Sequence, residues 1–350
     1  MAAEGEGGGV TLTWLLILTV VGVFVFDFTN GFHDTANLIA TAVASRAMRP
    51  IPAVVIAAVF TLLGPLIAGT AVADTVGQIV TLDGMPAIAA VTVVLAALAG
   101  AITWNIGTWL FGIPSSSSHA LVGALCGTTL VTRGASGIHW GLGSEGLTGV
   151  ARVTITLLVS PVLGMIAGFL AQRLARLALR RATPRINGPI KHLQVVGTAL
   201  MAFSHGANDA QKSMGVLTLV LLLSGHLDRF VVPTWVVFLC AAAITSGTVL
   251  GGWRIVKTLG FGIYRLRPIH ALNVQLASGG VILGAAFFGG PVSTTHVVSS
   301  AVMGVGAAER PRGVRWQKAR DIAWTWLVTI PGAGIAAIVW WWIASHLFSL

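Results

Sequence analysis

NGFHDTAN at residues 30–37 has a second version, HGANDAQK, at residues 205–212 of an otherwise apolar chain. A hydroxyl-rich segment follows each version, PSSSSH at residues 114–119 and PVSTTH at residues 291–296. The aspartate of the first segment precedes the histidine of the second by 85 residues in one case and by 87 in the other. We name the first pair the aspartate motifs and the second pair the hydroxyl motifs. Their order and spacing predict a chain built from two related halves.

The composition predicts a membrane protein. Of the 350 residues, 55% are hydrophobic and only 9% are charged, and the mean hydropathy is +0.87. Soluble domains typically carry about 25% charged residues. Apolar runs close to the ~20 residues that a bilayer requires cover residues 11–26, 51–73, 87–102, 150–170, 231–250 and 322–343. Their pattern is helical rather than alternating, which predicts an all-α polytopic membrane protein and excludes an outer-membrane barrel.

The net charge is +10. The positions of the basic residues along the chain indicate membrane topology rather than a nucleic-acid partner. Short basic loops between apolar runs mark the cytoplasmic side of a membrane protein. One such group lies in the centre of the chain and another lies before the last apolar run: Arg173, Arg176, Arg180, Arg181, Arg185 and Lys191, then Arg310, Arg312, Arg315, Lys318 and Arg320. We therefore predict a multi-pass protein of the cell (inner) membrane that contacts lipid and does not bind nucleic acid.

Following the apolar runs through the bilayer gives about ten membrane spans, with both termini on the non-cytoplasmic side. Five crossings, an odd number, separate the two aspartate motifs, so the second half enters the membrane with the opposite orientation. Inverted-topology repeats of this kind build many secondary transporters, whose sites lie at the repeat interface. The predicted parts are a disordered tail at 1–10, a first repeat at 11–172, a basic cytoplasmic linker at 173–192 and a second, inverted repeat at 193–350.

Glycine and proline positions predict broken or re-entrant helices. Asn30 and Gly31 interrupt one long apolar segment, and His205 and Gly206 interrupt its counterpart. Each hydroxyl motif begins with a proline, and Gly112 precedes the first motif while Gly289 and Gly290 precede the second. Irregular backbone at membrane depth is tolerated only where protein or a watery cavity surrounds it. Helix packing through small residues is the alternative explanation for these glycines.

The hydroxyl motifs predict an anion site. A proline followed by hydroxyl residues starts a helix, whose free amides and positive dipole end favour an anion. A single copy is equally well explained as a helix cap, but the duplication favours a ligand site. With the motif amides, the candidate substrate-binding residues are Asn37, Ser115, Ser116, Ser117, Ser118, Asn208, Ser293, Thr294 and Thr295.

The aspartate motifs predict a cation or proton site. Ionised Asp34 and Asp209 cannot donate to an anion, so they are candidates for cation capture or proton transfer. The motif histidines, including His205, are candidates for proton relay or for holding a divalent metal, although a membrane histidine is commonly a hydrogen-bonded structural group. The candidate coupling-ion residues are Asp34, Asp209, His33, Lys212, His119 and His296, and no metal ligand set is assigned.

These motifs resemble those of the inorganic phosphate transporter family, whose halves carry a G-A-N-D-x-x-N motif and a P-V-S-T-T-H motif. The likeness extends from about Phe24 to the last apolar run. It implies an inverted-repeat secondary transporter for inorganic phosphate. It also implies that Asp and Asn of the aspartate motifs, with Ser and Thr of the hydroxyl motifs, form the phosphate and coupling-ion site.

Two positions depart from the family pattern. His33 replaces an asparagine of the first aspartate motif, and Lys212 replaces the final asparagine of the second. Both changes are more similar to the bacterial, low-affinity, proton-coupled branch, which is described as carrying a neutral metal phosphate complex. We therefore expect symport of phosphate with protons, with a divalent metal in the complex and no bound cofactor. Sodium-coupled symport, another tetrahedral oxyanion, a divalent metal permease and an anion channel are the alternatives.

An intramembrane hydrolase is the rival from a different class, because serine, histidine and aspartate all occur in the apolar segments. A hydrolase needs one asymmetric nucleophile site, whereas this chain has two matched sites and no G-x-S-x-G elbow. We therefore predict a protein that is not an enzyme. A homo-oligomer is left open.

Overall fold

The computed structural model describes residues 3–141, 143, 146–251 and 263–348. These residues form an all-helical protein, whose only β-type pairing is an isolated bridge between Val80 and Ile138. The all-α class is therefore as predicted. The α-helices of the described residues, in chain order, are α1 (Ala3–Ala44), α2 (Pro50–Ile67), α3 (Ala71–Gly77), α4 (Ala87–Leu110), α5 (Ser117–Arg133), α6 (Gly149–Ala178), α7 (Asn187–Leu223), α8 (Thr234–Leu250), α9 (Pro268–Phe287), α10 (Thr294–Glu309) and α11 (Trp316–Phe348).

Six of the described helices are long and apolar enough to cross a membrane, namely those that contain Thr11–Ala44, Pro50–Ile67, Ala87–Leu110, Gly149–Ala178, Pro268–Phe287 and Ala319–Leu347. Helix α8 is a shorter apolar helix. This content is that of a polytopic membrane protein. Ten crossings remain a prediction, since α5, α7, α8 and α10 do not meet the same length and hydropathy criteria.

Helices of the first half of the chain pack against helices of the second half. Helix α1 packs on α8, and α2 packs on α7. In the same way α4 and α5 pack on α11, while α9 and α10 pack on α6. Each of these contacts joins a helix of the first half to a helix of the second. The core is therefore shared between the halves, and the aspartate motifs on α1 and α7 lie inside it.

Close helix contacts occupy the positions where the sequence predicts breaks. A Cβ built on Gly31 would lie 2.0 Å from the Ile244 carbonyl oxygen of α8, and one on Gly206 would lie 2.2 Å from the Thr61 carbonyl oxygen of α2. Helices α1 and α7 run unbroken through both glycines. The expected breaks at these two positions are therefore wrong, because the glycines allow neighbouring helix backbones to approach each other.

The helical structure is interrupted before each hydroxyl motif, as predicted. Helix α4 ends at Leu110 and α5 begins at Ser117, while α9 ends at Phe287 and α10 begins at Thr294. Gly112 and Gly289 in these connections have φ of 65° and 66°, a left-handed conformation that favours glycine. The hydroxyl motifs thus lie where an irregular segment becomes a helix.

Two parts of the predicted division differ from the structure. Residues 3–10 belong to α1, whereas the sequence predicts a disordered tail there. Extending an existing helix costs far less free energy than starting a new one, which explains why the glycine-rich segment continues the helix of the apolar run. Arg173 and Arg176 lie on the last turns of α6 rather than in a loop, so the connection between the halves spans only residues 179–186. The other predicted boundaries between the halves stay predictions.

Candidate functional site

The N-termini of α5 and α10, which carry the hydroxyl motifs, meet inside the protein. Ser118 Oγ donates to the Val292 carbonyl oxygen at 3.0 Å. The rings of His119 and His296 lie 4.5 Å apart between centroids. The two helix starts therefore face each other across a short distance, which brings both sets of hydroxyls to one place.

Three of the predicted substrate-binding hydroxyls serve local structure. Ser116 Oγ accepts from the backbone N–H of His119 at 3.2 Å, and Ser293 Oγ accepts from that of His296 at 3.3 Å. Both are therefore N-caps of their helices. Ser115 Oγ pairs with a hydroxyl of α4, Thr108 Oγ1, at 2.7 Å. The hydroxyls that extend toward the aspartate motifs are those of Ser117, Ser118, Thr294 and Thr295.

Reciprocal contacts connect each aspartate motif to the hydroxyl motif of the other half. Asn37 Nδ2 donates to Thr295 Oγ1 at 3.0 Å, and Lys212 Nζ donates to Ser118 Oγ at 2.5 Å. Asn37 and Lys212 hold the same place in their motifs, as do Thr295 and Ser118. Each half therefore completes the site of the other.

Asp209 is the centre of the hydrogen-bond network. Its Oδ1 lies 2.7 Å from Lys212 Nζ and accepts from Thr294 Oγ1 at 3.2 Å. Its Oδ2 accepts from Asn30 Nδ2 at 3.4 Å, and Asn30 Oδ1 in turn accepts from Ser117 Oγ at 2.7 Å. Asn30 is the first residue of the first aspartate motif. It connects a hydroxyl of the first half to the aspartate of the second.

Asp34 lies beside this network. Its Oδ1 accepts from Thr295 Oγ1 at 3.3 Å and lies 3.1 Å from His33 Nδ1. Both aspartates have a side chain that is 1–2% exposed to solvent. A carboxylate at this depth needs a partner, and each aspartate has one on its own helix as well as a hydroxyl on α10.

Asp34, His205 and Asp209 together could hold a cation. One potential ligand atom from each of them lies within 4.8 Å of the others, and all three residues are buried. Two carboxylates and an imidazole suit a divalent transition metal or zinc, whereas magnesium prefers oxygen ligands. His205 belongs to this group; the sequence names it among the histidines that could hold a divalent metal, although it is absent from the candidate coupling-ion residues.

Several buried site atoms have no hydrogen-bond partner among the described residues. They are His33 Nε2, Asn37 Oδ1, His205 Nε2 and His296 Nε2. An unsatisfied buried polar group costs about 1–3 kcal/mol. A polar ligand bound at the motif residues would offer these four atoms partners.

Asn208 positions backbone rather than facing the other site groups. Its Nδ2 donates to the Gly290 carbonyl oxygen at 3.0 Å, and its Oδ1 accepts from the backbone N–H of Val292 at 3.1 Å. Lys212 Nζ also donates to the Val292 carbonyl oxygen at 2.8 Å. The predicted ligand Asn208 thus holds the irregular segment that leads into α10.

The rings of His119 and His296 pack against each other with a tilt of 39°, instead of contacting the aspartates. His119 Nδ1 pairs with Ser116 Oγ at 2.8 Å, and the His296 ring stacks on Trp326 of α11 at 3.8 Å between centroids. Trp326 was not anticipated, because nothing in its local sequence separates it from the other tryptophans of the last helix. The two histidines support the N-termini of α5 and α10.

An arginine-lined cavity of about 930 Å³ opens where α1 and α10 end and α9 begins. Its arginines are Arg46, Arg265, Arg267, Arg310 and Arg315. Among the described lining residues, Glu309 is the only carboxylate, and it accepts from Gln172 Nε2 at 3.0 Å. Burial raises the pKa of Tyr264, so its hydroxyl stays neutral at this edge of the cavity. The cavity presents a strongly positive surface to anions on the predicted cytoplasmic side.

Comparisons with known proteins agree on one family. The sequence profile of the phosphate transporter family matches residues 30–337. A probable low-affinity inorganic phosphate transporter of Bacillus subtilis (strain 168) is 38% identical, over 95% of this chain and 98% of the relative. One of Rhizobium meliloti (strain 1021) is 42% identical, over 93% and 95%. A solved structure described as the sodium-dependent phosphate transporter has a TM-score of 0.86 at 24% identity, over 95% of this chain and 99% of that one.

Proposed function

This chain belongs to the phosphate transporter family, and from that membership we propose that it is a secondary transporter that imports inorganic phosphate by symport with protons. The protein is a transporter and not an enzyme, as its relatives are. The observation that carries the proposal is the reciprocal contact between aspartate and hydroxyl motifs of opposite halves. It places anion donors and cation acceptors side by side in the buried centre.

The groups at the centre suit a tetrahedral oxyanion. Ser117, Ser118, Thr294 and Thr295 offer hydroxyl donors, and Lys212 offers an ammonium. The N-termini of α5 and α10 add the positive ends of two helix dipoles. Hydroxyls and helix ends donate hydrogen bonds without introducing a further fixed charge, which would be costly in the membrane interior.

The charge of the site supports symport with a cation. Asp34 and Asp209 offer two carboxylates and Lys212 one ammonium, so with neutral His33 and His205 the site without ligands carries a net negative charge. A phosphate anion alone would increase this charge in a medium of low dielectric constant. Binding is therefore favourable only when a cation arrives with the anion. Lys212 lies 2.7 Å from Asp209 and so occupies space that a sodium ion would need, which favours the proton.

A divalent metal is a second proposed passenger, bound to phosphate in a neutral complex. The group formed by Asp34, His205 and Asp209 supports this proposal, because it provides two carboxylates and an imidazole beside the hydroxyls. Neutralising the phosphate in this way lowers the cost of moving it through the protein.

We further propose that the two halves are inverted repeats with about ten crossings, and that the arginine-lined cavity faces the cytoplasm. The packing of α1 of the first half on α8 of the second, and of α2 of the first half on α7 of the second, supports the repeat. The basic residues at the ends of α6 and α10 support the orientation. The motif side chains at the centre are at most 6% exposed, so one half must move against the other to admit phosphate.

Uptake of labelled phosphate into proteoliposomes tests the proposed function. We expect accumulation under an imposed inward proton gradient, no stimulation by a sodium gradient, and a dependence on added divalent metal. Accumulation driven by sodium alone would establish the sodium-coupled alternative. Metal uptake without phosphate would identify a metal permease, and flux that no gradient can drive uphill would identify a channel.

Ser117→Ala should raise the KM for phosphate uptake at least about tenfold with little change in the maximal rate. One hydrogen bond to a charged ligand is worth about 1.5–3 kcal/mol, and about 1.4 kcal/mol corresponds to a factor of ten. Ser115→Ala is the matched control, because this serine pairs with Thr108 of α4 instead of the central network. Equal KM values for the two variants would remove Ser117 from the phosphate site.

A further inference from the structure

Asp27 is a buried carboxyl group that belongs to neither motif. It lies on α1, seven residues before Asp34, or about 10 Å along the helix at ~1.5 Å per residue. Its exposed fraction is 0%. The corresponding position in the second half is Ala202, so the duplication gives no indication of it. An ionisable residue at this depth in a membrane helix requires a functional explanation.

The described contacts of Asp27 include no counter-ion. Ser213 Oγ donates to Asp27 Oδ1, and Asp27 Oδ2 has no hydrogen-bond partner among the described residues. The described part of the chain places no arginine, lysine or histidine in an ion pair with it. Asp34 and Asp209 differ, because they lie 3.1 Å from His33 Nδ1 and 2.7 Å from Lys212 Nζ, respectively.

The surroundings of Asp27 contain few charges. The groups that act on it are the Cys240 thiol of α8 and the charged pair Asp209 and Lys212 of α7. Helices α2 and α4 also pack on α1 and carry no titratable side chain. The titratable residues elsewhere on helices that contact α1 are Lys191, His192, His205, His270, His296 and Glu309.

A carboxylate without a counter-ion is costly in such surroundings, whereas a protonated carboxyl group is not. Protonation forms an O–H bond at Oδ2, the oxygen without a partner, and leaves Oδ1 to accept from Ser213. Water supplies the proton on one side of the membrane and receives it on the other, so no further reactant is required.

We propose that Asp27 is the proton-binding site of this transporter. The inference rests on the proposed symport and names the group that performs it. Ser213 donates a hydrogen bond to Asp27 and directly follows Lys212 in the chain. Lys212 in turn contacts Ser118 and Asp209. An ionised Asp27 repels an anion beside Lys212, and a protonated Asp27 does not. Proton and phosphate therefore favour each other's binding, and linkage makes that effect reciprocal.

Asp27→Asn separates coupling from binding, because the amide has the shape of the neutral acid and cannot release a proton. In proteoliposomes we expect phosphate exchange across the membrane, without any gradient, at a rate within about twofold of the wild type. We expect accumulation driven by a proton gradient, and the alkalinisation of the medium that accompanies phosphate uptake, to be lost. Asp27→Glu should restore both in part. Proton-driven accumulation by Asp27→Asn at the wild-type level would overturn the inference.

Ser213→Ala provides an independent measurement if Asp27→Asn does not fold. Ser213 donates to the carboxyl group and so favours its charged form. Its removal should move the midpoint of the pH profile for uptake to higher pH, and an unchanged midpoint would overturn the inference. The wild-type protein distinguishes a failure of the proposed symport from a failure of the role of Asp27. If the wild type accumulates no phosphate under a proton gradient, the proposed symport fails, whatever the Asp27 variants do.

Discussion

In proteoliposomes, Asp209→Asn should reduce phosphate uptake at least about 100-fold, to the level of empty vesicles, and the purified variant should melt at a lower temperature. Asp209 lies 2.7 Å from the Lys212 ammonium and accepts from Thr294 and Asn30. Its loss leaves a buried ammonium without a counter-ion, which costs about 3–5 kcal/mol. The carboxylate that balances a cation at the centre is lost as well.

The double variant Asp209→Asn/Lys212→Gln separates these two effects. It removes both charges of the pair, so the buried ammonium no longer lowers stability, and the melting temperature should return most of the way to that of the wild type. Uptake should stay absent, because the missing carboxylate is not replaced. A double variant that transports phosphate normally would show that Asp209 serves stability alone.

Gly206→Val should almost eliminate folded protein from the membrane. A Cβ at this position would lie 2.2 Å from the Thr61 carbonyl oxygen, so α7 and α2 would have to separate along a contact that joins the two halves. Overpacking of a dense contact costs about 3 kcal/mol or more when backbone must move. The amount of monodisperse protein recovered in detergent measures the effect.

Gly280→Val is the matched control for this substitution. Gly280 also lies within a helix, α9, but a Cβ there would meet nothing within 4 Å. Both variants replace glycine by the same β-branched residue, so helix propensity changes equally in the two. Similar recovery of the two proteins would show that the α2–α7 contact tolerates separation.

Much of the helical architecture follows from local pattern. The sequence predicts a helical apolar run that begins at residue 87, and α4 spans Ala87–Leu110. It also predicts the helix interruptions before Ser117 and Thr294, because glycine and proline alter the backbone conformation of the segment in which they occur. These features depend on neighbouring residues alone.

The roles of Gly31 and Gly206 could not be derived in this way. A glycine that breaks a helix and a glycine that admits a second helix have the same side chain. The partner of Gly31 is the carbonyl of Ile244, more than two hundred residues away. Only the assembled fold shows which of the two roles applies.

The site was predictable as a set of residues and less so as an arrangement. Duplication identifies Asp34, Asp209 and the hydroxyl runs. It does not distinguish Ser117, which contacts Asn30, from Ser116, which caps its helix. Repetition also gives no weight to Asp27, which occurs in one half only. The available signal was an ionisable residue directly after the apolar run at residues 11–26, and this signal is independent of the repeat.

Asn37 and Lys212 hold the same place in their motifs, yet one ends in a neutral amide and the other in an ammonium. The centre of the site is therefore unequal in charge between its two halves. In the symport that we propose, influx and efflux would start from unequal affinities, which is a kinetic rectification of flow. The driving gradients alone still fix the final accumulation ratio, so this rectification changes how quickly the steady level is reached and leaves the level itself unaltered.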